Sequence, residues 1–110
     1  MAERYINSEG LVGVMVSPGF GAGFHTWNYI PELCFDKDII TMILEDKPII
    51  EIEEFTVDKY SKYDGDYVST IGLGSVEIVW LEQGTQFIFE EYDGAESIIL
   101  IKDNPIIKTA

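Results

Sequence analysis

Residues 75–101 read SVEIVWLEQGTQFIFEEYDGAESIILI, and this stretch decides the fold because three strands can be read from it. In SVEIVWLEQ, Val76, Ile78 and Trp80 alternate with Glu77, Val79 and Leu81, the period of two that sends successive side chains to opposite faces of a sheet. QFIFEEY repeats the pattern, with Phe87 and Phe89 on one face and Ile88 and Glu90 on the other. Residues 83–86, with Gly84 among them, form a short turn between the two. Tyr92, Asp93 and Gly94 then separate FIFEE from ESIILI. Asp-Gly between apolar runs signals a hairpin because both residues tolerate the positive φ that a tight turn needs. Three consecutive antiparallel strands are expected, with Trp80 buried. The tail KDNPIIKTA that follows carries Pro105, which suits a sheet edge or a frayed end.

Working back toward the N-terminus, LVGVMV is valine-rich and bounded by glycine and proline. It reads as a buried strand over 11–17 that stops where Pro18 interrupts it and joins the sheet of residues 75–101. Two helical patterns lie between. Asp36 is a candidate N-cap for a helix at 36–46, in which Ile39, Ile40, Met42, Ile43 and Leu44 fall at helical spacing. Pro48 suits the first position of a second helix whose face is marked by Ile49, Ile52, Phe55 and Tyr60, although the β-branched content there is also compatible with a strand. Residues 63–75, YDGDYVSTIGLGS, are turn-rich. The expected fold is α+β: a small antiparallel sheet with a C-terminal β-meander, the N-terminal strand added, and about two helices on one face. The chain of 110 residues is expected to be a single domain over 1–110, without internal repeat or linker. A sheet this small leaves an edge that a small domain must cover, so a homo-oligomer, a dimer, is expected.

Twenty acidic residues against 7 basic ones give a net charge of −13. That field repels nucleic acid and anionic membranes and attracts basic protein surfaces, so direct DNA or RNA binding is not expected. The acids are spread along the chain, at Glu51, Glu53, Glu54, Asp64, Asp66, Glu90, Glu91, Asp93 and Glu96, which fits a solvated surface. No run approaches the roughly 20 apolar residues that span a bilayer, and MAERYINSEG lacks the pattern of a secretory signal, so a cytoplasmic protein is expected. Cys34 is the single cysteine. It fits a reducing compartment and reads as a small buried apolar residue.

Residues 17–28, SPGFGAGFHTWN, follow the first strand directly. Gly19, Gly21 and Gly23 alternate with Phe20, Ala22 and Phe24, so the backbone can take positive φ or approach another surface closely. His25, Thr26, Trp27 and Asn28 then supply a titratable ring, a hydroxyl, an indole and an amide, a repertoire suited to a small polar aromatic ligand. Unpaired backbone amides in such a loop can cradle an anion, and a purely structural glycine loop explains the same residues. The dinucleotide fingerprint fails, because His25 stands where its third glycine belongs, and no P-loop lysine follows. One histidine and one cysteine cannot make a conventional zinc site. Glu90, Glu91, Asp93 and Glu96 lack calcium-loop spacing and read as solvated hairpin acids, so no metal is expected. Neither Ser17 nor Cys34 sits in a nucleophile motif. No catalytic residue and no cofactor are expected. If the loop folds over the end of the strands, Trp27 can stack on a base while Asn28 and the hairpin carboxylates bind its edge or a ribose.

The two motifs together, SPGFGAGFHTWN and FIFEEYDGAESI, resemble those of a family of small phage and prophage proteins with a GAGWSTW-like loop and an EYDGxES hairpin. The resemblance extends through the strand before the loop, FDKDI, the EIEEF–KY segment and the VEIVWLEQGTQF approach to the hairpin; Phe24 and His25 stand where tryptophan and serine are usual. It implies an accessory viral protein acting in the host cytoplasm, many of which antagonise bacterial defence. Two modes are expected from it. In the first, the protein binds and sequesters a nucleotide-type signal without chemistry, with Gly21, Gly23, Trp27, Asn28, Glu91 and Asp93 lining the site. In the second, it is an acidic inhibitor that occupies a basic or nucleic-acid-binding surface of a host protein.

Overall fold

The computed structural model describes residues 3–19, 23, 24, 28, 30, 32–60, 69, 70 and 72–101. Gly21 and Trp27 of the expected site lie outside the described residues, as do Phe20, His25, Thr26, Pro31, most of the turn-rich stretch and the tail from Lys102.

The chain is an α+β fold. Strand β1 (Leu11–Val16) pairs antiparallel with β2 (Glu77–Glu82), Leu11 opposite Glu82 and Val16 opposite Glu77. Strands β3 (Phe87–Tyr92) and β4 (Ala95–Leu100) form a second antiparallel ladder, Phe87 opposite Leu100 and Tyr92 opposite Ala95. Between β1 and β2 come a 3-10 turn at Leu33–Phe35, helix α1 (Lys37–Leu44), helix α2 (Ile49–Tyr60) and a second 3-10 turn at Leu73–Ser75. Among the described residues, no helix is long and apolar enough to cross a membrane.

β1 is apolar without alternation because it is covered on both sides. Val12, Val14 and Val16 face the second ladder, packing with Cys34, Phe35, Val79, Leu81, Phe87, Phe89 and Ile98. Met15 faces the helices with Ile39, Ile40, Ile52 and Ile78. Val14 and Met15 are both 0% exposed, the pattern of a strand buried on two faces. The layers are therefore helices, first ladder, second ladder.

The strands after residue 75 are those expected, but they divide between two ladders: β2 pairs with β1, and β3 with β4. Between them the chain turns at Gly84 (φ 85°), with the Thr85 N–H donating to the Glu82 carbonyl at 3.1 Å. The physical reason lies in the two apolar faces. Laying Phe87 and Phe89 on the valines of β1 buries both surfaces, whereas edge pairing of β2 with β3 leaves the valine face open to water. Trp80 is half-buried and not enclosed; its ring lies 5.7 Å from that of Tyr5. It also crosses Gly13, its partner in the ladder, where an added Cβ would stand 3.1 Å from Trp80 Cζ3 and 3.2 Å from Ile78 Cγ2.

The helices begin and end on local chemistry. Asp36 caps α1 through Oδ1, which accepts from the Ile39 N–H at 3.0 Å. Asp46 ends it in the left-handed region (φ 54°); the Lys47 N–H donates to Met42 O and the Asp46 N–H to Ile43 O, both at 3.1 Å, a Schellman closure. α2 starts after Pro48, whose carbonyl accepts from Glu51 and Ile52. Its inner face is Ile52, Thr56 and Tyr60, with Phe55 partly buried and Ile49 exposed. The other oxygen of the Asp36 carboxylate, Oδ2, accepts from Lys59 Nζ at 2.8 Å and from the Tyr60 hydroxyl, tying the start of α1 to the end of α2.

Candidate functional site

The glycine loop and the hairpin, far apart in sequence, meet at Glu96. This residue follows the hairpin turn on β4 and shares the inward face with Ile98, which packs on the valines of β1. Where the apolar layer stops, its carboxylate finds backbone donors. Oε1 accepts from the Ser17 N–H and Oε2 from the Phe24 N–H, each at 3.0 Å, while the Glu96 N–H donates to Ser17 O at 2.8 Å. Glu96 is 2% exposed. Such a carboxylate is tolerated inside a fold because charge-assisted bonds to N–H groups replace its lost hydration.

Both ends of the loop are held further. Ser17 Oγ donates to Gly72 O and shares a hydrogen bond with Ser75 Oγ, each at 3.2 Å. Phe24 is wholly buried in the core that holds Met15 and Leu33. Gly23 before it has φ 53°, a conformation that glycine adopts without strain.

Of the expected site residues, Gly23 therefore sits at the closing end of the loop. Asn28 is half-buried and bonded to main chain: Nδ2 donates to Phe24 O at 2.9 Å and Ser69 O at 3.0 Å, and Oδ1 accepts from the Ser69 N–H at 2.7 Å. Glu91 and Asp93 are at the hairpin tip, both exposed. Asp93 (φ 52°) and Gly94 (φ 84°) form the two-residue turn, and Glu91 Oε1 accepts from the Gly94 N–H. The structure thus brings Gly23, Glu91 and Asp93 to one end of the sheets around Glu96. Glu96 itself was expected as a solvated hairpin acid and is instead the buried joint. Its phase was a usable signal, since Glu96 falls on the same face of β4 as Ile98 and Leu100.

The Cys34 thiol is pushed up to about 12, first by burial and then by the nearby Glu32 charge, which keeps it from acting as a thiolate at neutral pH. The Arg4 guanidinium, bonded to both Glu32 oxygens at 3.1 and 3.2 Å and stacked 4.0 Å over the Phe35 ring, is held above its ordinary value by the Glu32 bonds. Between the two ladders a cavity of about 20 Å³, lined by Val12, Val14, Phe35, Leu81 and Phe87, has room for little more than one water. Among the described residues, no three His, Cys, Asp or Glu side chains converge as a metal site.

No protein-family model, curated protein or solved structure matches this chain.

Proposed function

We propose that this is a phage-type accessory protein that antagonises host defence by binding and sequestering a nucleotide-type signal, without chemistry on it. The observation that supports this most directly is the Glu96 joint. One buried carboxylate fastens both ends of the glycine loop to the strand that leaves the Asp93–Gly94 turn. Under this proposal the anchors at Ser17 and Phe24, set beside the hairpin tip, reduce the ordering that a ligand seated there must impose. In this reading Gly21 and Gly23 allow close approach of backbone amides to a phosphate, and Trp27 stacks on the base. Asp93 and Glu91 accept hydrogen bonds from ribose hydroxyls, and Asn28 holds the loop's far side in shape.

A homo-oligomer belongs to the same proposal, because among the described residues β2, β3 and β4 each pair along one edge only. Light scattering at micromolar concentration tests it, with a monomer as the contrary result.

The deciding experiment is calorimetry of the whole protein against cyclic and ADP-ribose-type nucleotides, followed by denaturation and analysis of what is released. Heat with one class and release of the unaltered nucleotide support sequestration. A changed product means an enzyme, and no heat with any nucleotide defeats the proposal.

A further inference from the structure

We infer that the outer face of α2 is a docking surface for a basic amphipathic helix of a partner protein. The helix is buried on one side only, through Ile52, Thr56 and Tyr60. On another face, Ile50 is 62% and Val57 38% exposed. Ile50, Glu53, Glu54, Val57 and Asp58 line a shallow depression of about 480 Å³. Their spacing, i, i+3, i+4, i+7 and i+8, makes one stripe along the helix roughly 12 Å long. Two apolar side chains two turns apart, with carboxylates between them, is the arrangement that seats an amphipathic helix by its own apolar stripe.

Charge selects the occupant. No ion pair joins Glu53 or Glu54 to a described residue, so both remain available to flanking lysines or arginines on a partner. A second copy docking by the same face would set these glutamates against each other within a pair of chains each carrying −13. The surface shares no residue with the glycine loop or the hairpin, so it stands or falls independently of nucleotide sequestration.

The test is fluorescence anisotropy of a labelled helical peptide with a leucine stripe flanked by lysines, titrated with the whole protein, beside the same peptide with glutamates in place of the lysines. The lysine peptide should bind and the glutamate peptide should not. Glu53→Lys with Glu54→Lys should weaken binding about tenfold or more, and Ile50→Ser or Val57→Ser severalfold, with unchanged circular dichroism. The paired reversal Glu9→Lys with Glu82→Lys, equal in charge but remote in the chain, should leave the affinity within about twofold. The inference is overturned if the lysine peptide does not bind, if the two paired reversals weaken it equally, or if light scattering shows a dimer that Ile50→Lys dissociates.

Discussion

Ser17 and Glu96 lie 79 residues apart in sequence and are bonded to each other twice, the Ser17 N–H to Glu96 Oε1 at 3.0 Å and the Glu96 N–H to Ser17 O at 2.8 Å. Together they close the glycine loop against the hairpin strand, so the two motifs that stand out in the sequence are parts of one structural unit. Glu96→Ala leaves the amides of Ser17 and Phe24 without this acceptor, and each such buried group costs about 1–3 kcal/mol. Urea unfolding should show a loss in that range or above it, and hydrogen exchange at the Phe24 amide should quicken. A variant as stable as the parent would mean that the joint is replaceable by water.

Gly13 is small because the Trp80 indole passes over it. Gly13→Ala places a methyl 3.1 Å from the ring and 3.2 Å from Ile78 Cγ2. With the ring and Ile78 held in place by their own packing, overpacking of this kind costs about 1–3 kcal/mol, and a shift of a few tenths of an ångström in either reduces it. The thermal midpoint should fall, and the change should be rescued in part by Trp80→Leu, which gives the methyl room. Additive losses in the double variant would contradict the contact.

Much of this architecture was legible in the chain, and its limits are physical. Strand alternation identified β2 and β3, Asp93-Gly94 with the apolar run after it gave the hairpin and β4, and Asp36 gave the cap of α1, because each is a local effect of backbone geometry. Which strands pair is a long-range matter. Alternation shows that Phe87 and Phe89 share a face, but not whether that face meets a neighbouring edge or the valines of β1. Glu96 was missed for a related reason. A glutamate reads as solvated until its partners are known, and here they are main-chain amides from the other end of the sequence.

The end of α1 offers a stabilising change. Asp46 adopts φ 54°, a conformation that strains any side chain with a Cβ and suits glycine. Asp46→Gly should raise stability by about 0.5–1 kcal/mol. The denaturation midpoint should rise with an unchanged slope; a lower midpoint would show that the Asp46 side chain contributes more than its backbone strain costs.

Lys59 makes folding sensitive to alkali. Burial alone lowers the Lys59 ammonium, but the hydrogen bond and charge of Asp36, then those of Asp38, outweigh burial and hold it above its ordinary value. With the folded value raised, the stabilisation is fully present below the unfolded value of about 10.4 and is lost as pH rises through the folded value. The stability difference between the parent and Lys59→Met should therefore stay level from neutral pH to about 10 and shrink above it. A difference that stays constant through strongly alkaline pH would refute the coupling.

Ionic strength separates the nucleotide site from the helix-docking face. An anionic ligand approaching a protein of charge −13 meets long-range repulsion, and salt screens it: the screening length is about 30 Å at 0.01 M and about 10 Å at 0.1 M. Nucleotide affinity should therefore hold or improve over that range, because loop amides and base stacking act at contact and are little screened. A basic helix on α2 should weaken over the same range, since its attraction is what salt removes. Trp27→Ala should cost the nucleotide about 1–3 kcal/mol of stacking. For the hairpin acid, Asp93→Gly is the cleaner variant, because Asp93 has φ 52° and alanine would strain the turn; it should lower nucleotide affinity without unfolding the protein. Neither variant should change binding of the lysine peptide. Nucleotide binding that collapses with salt, or survives both variants, would place the ligand away from the loop and the hairpin.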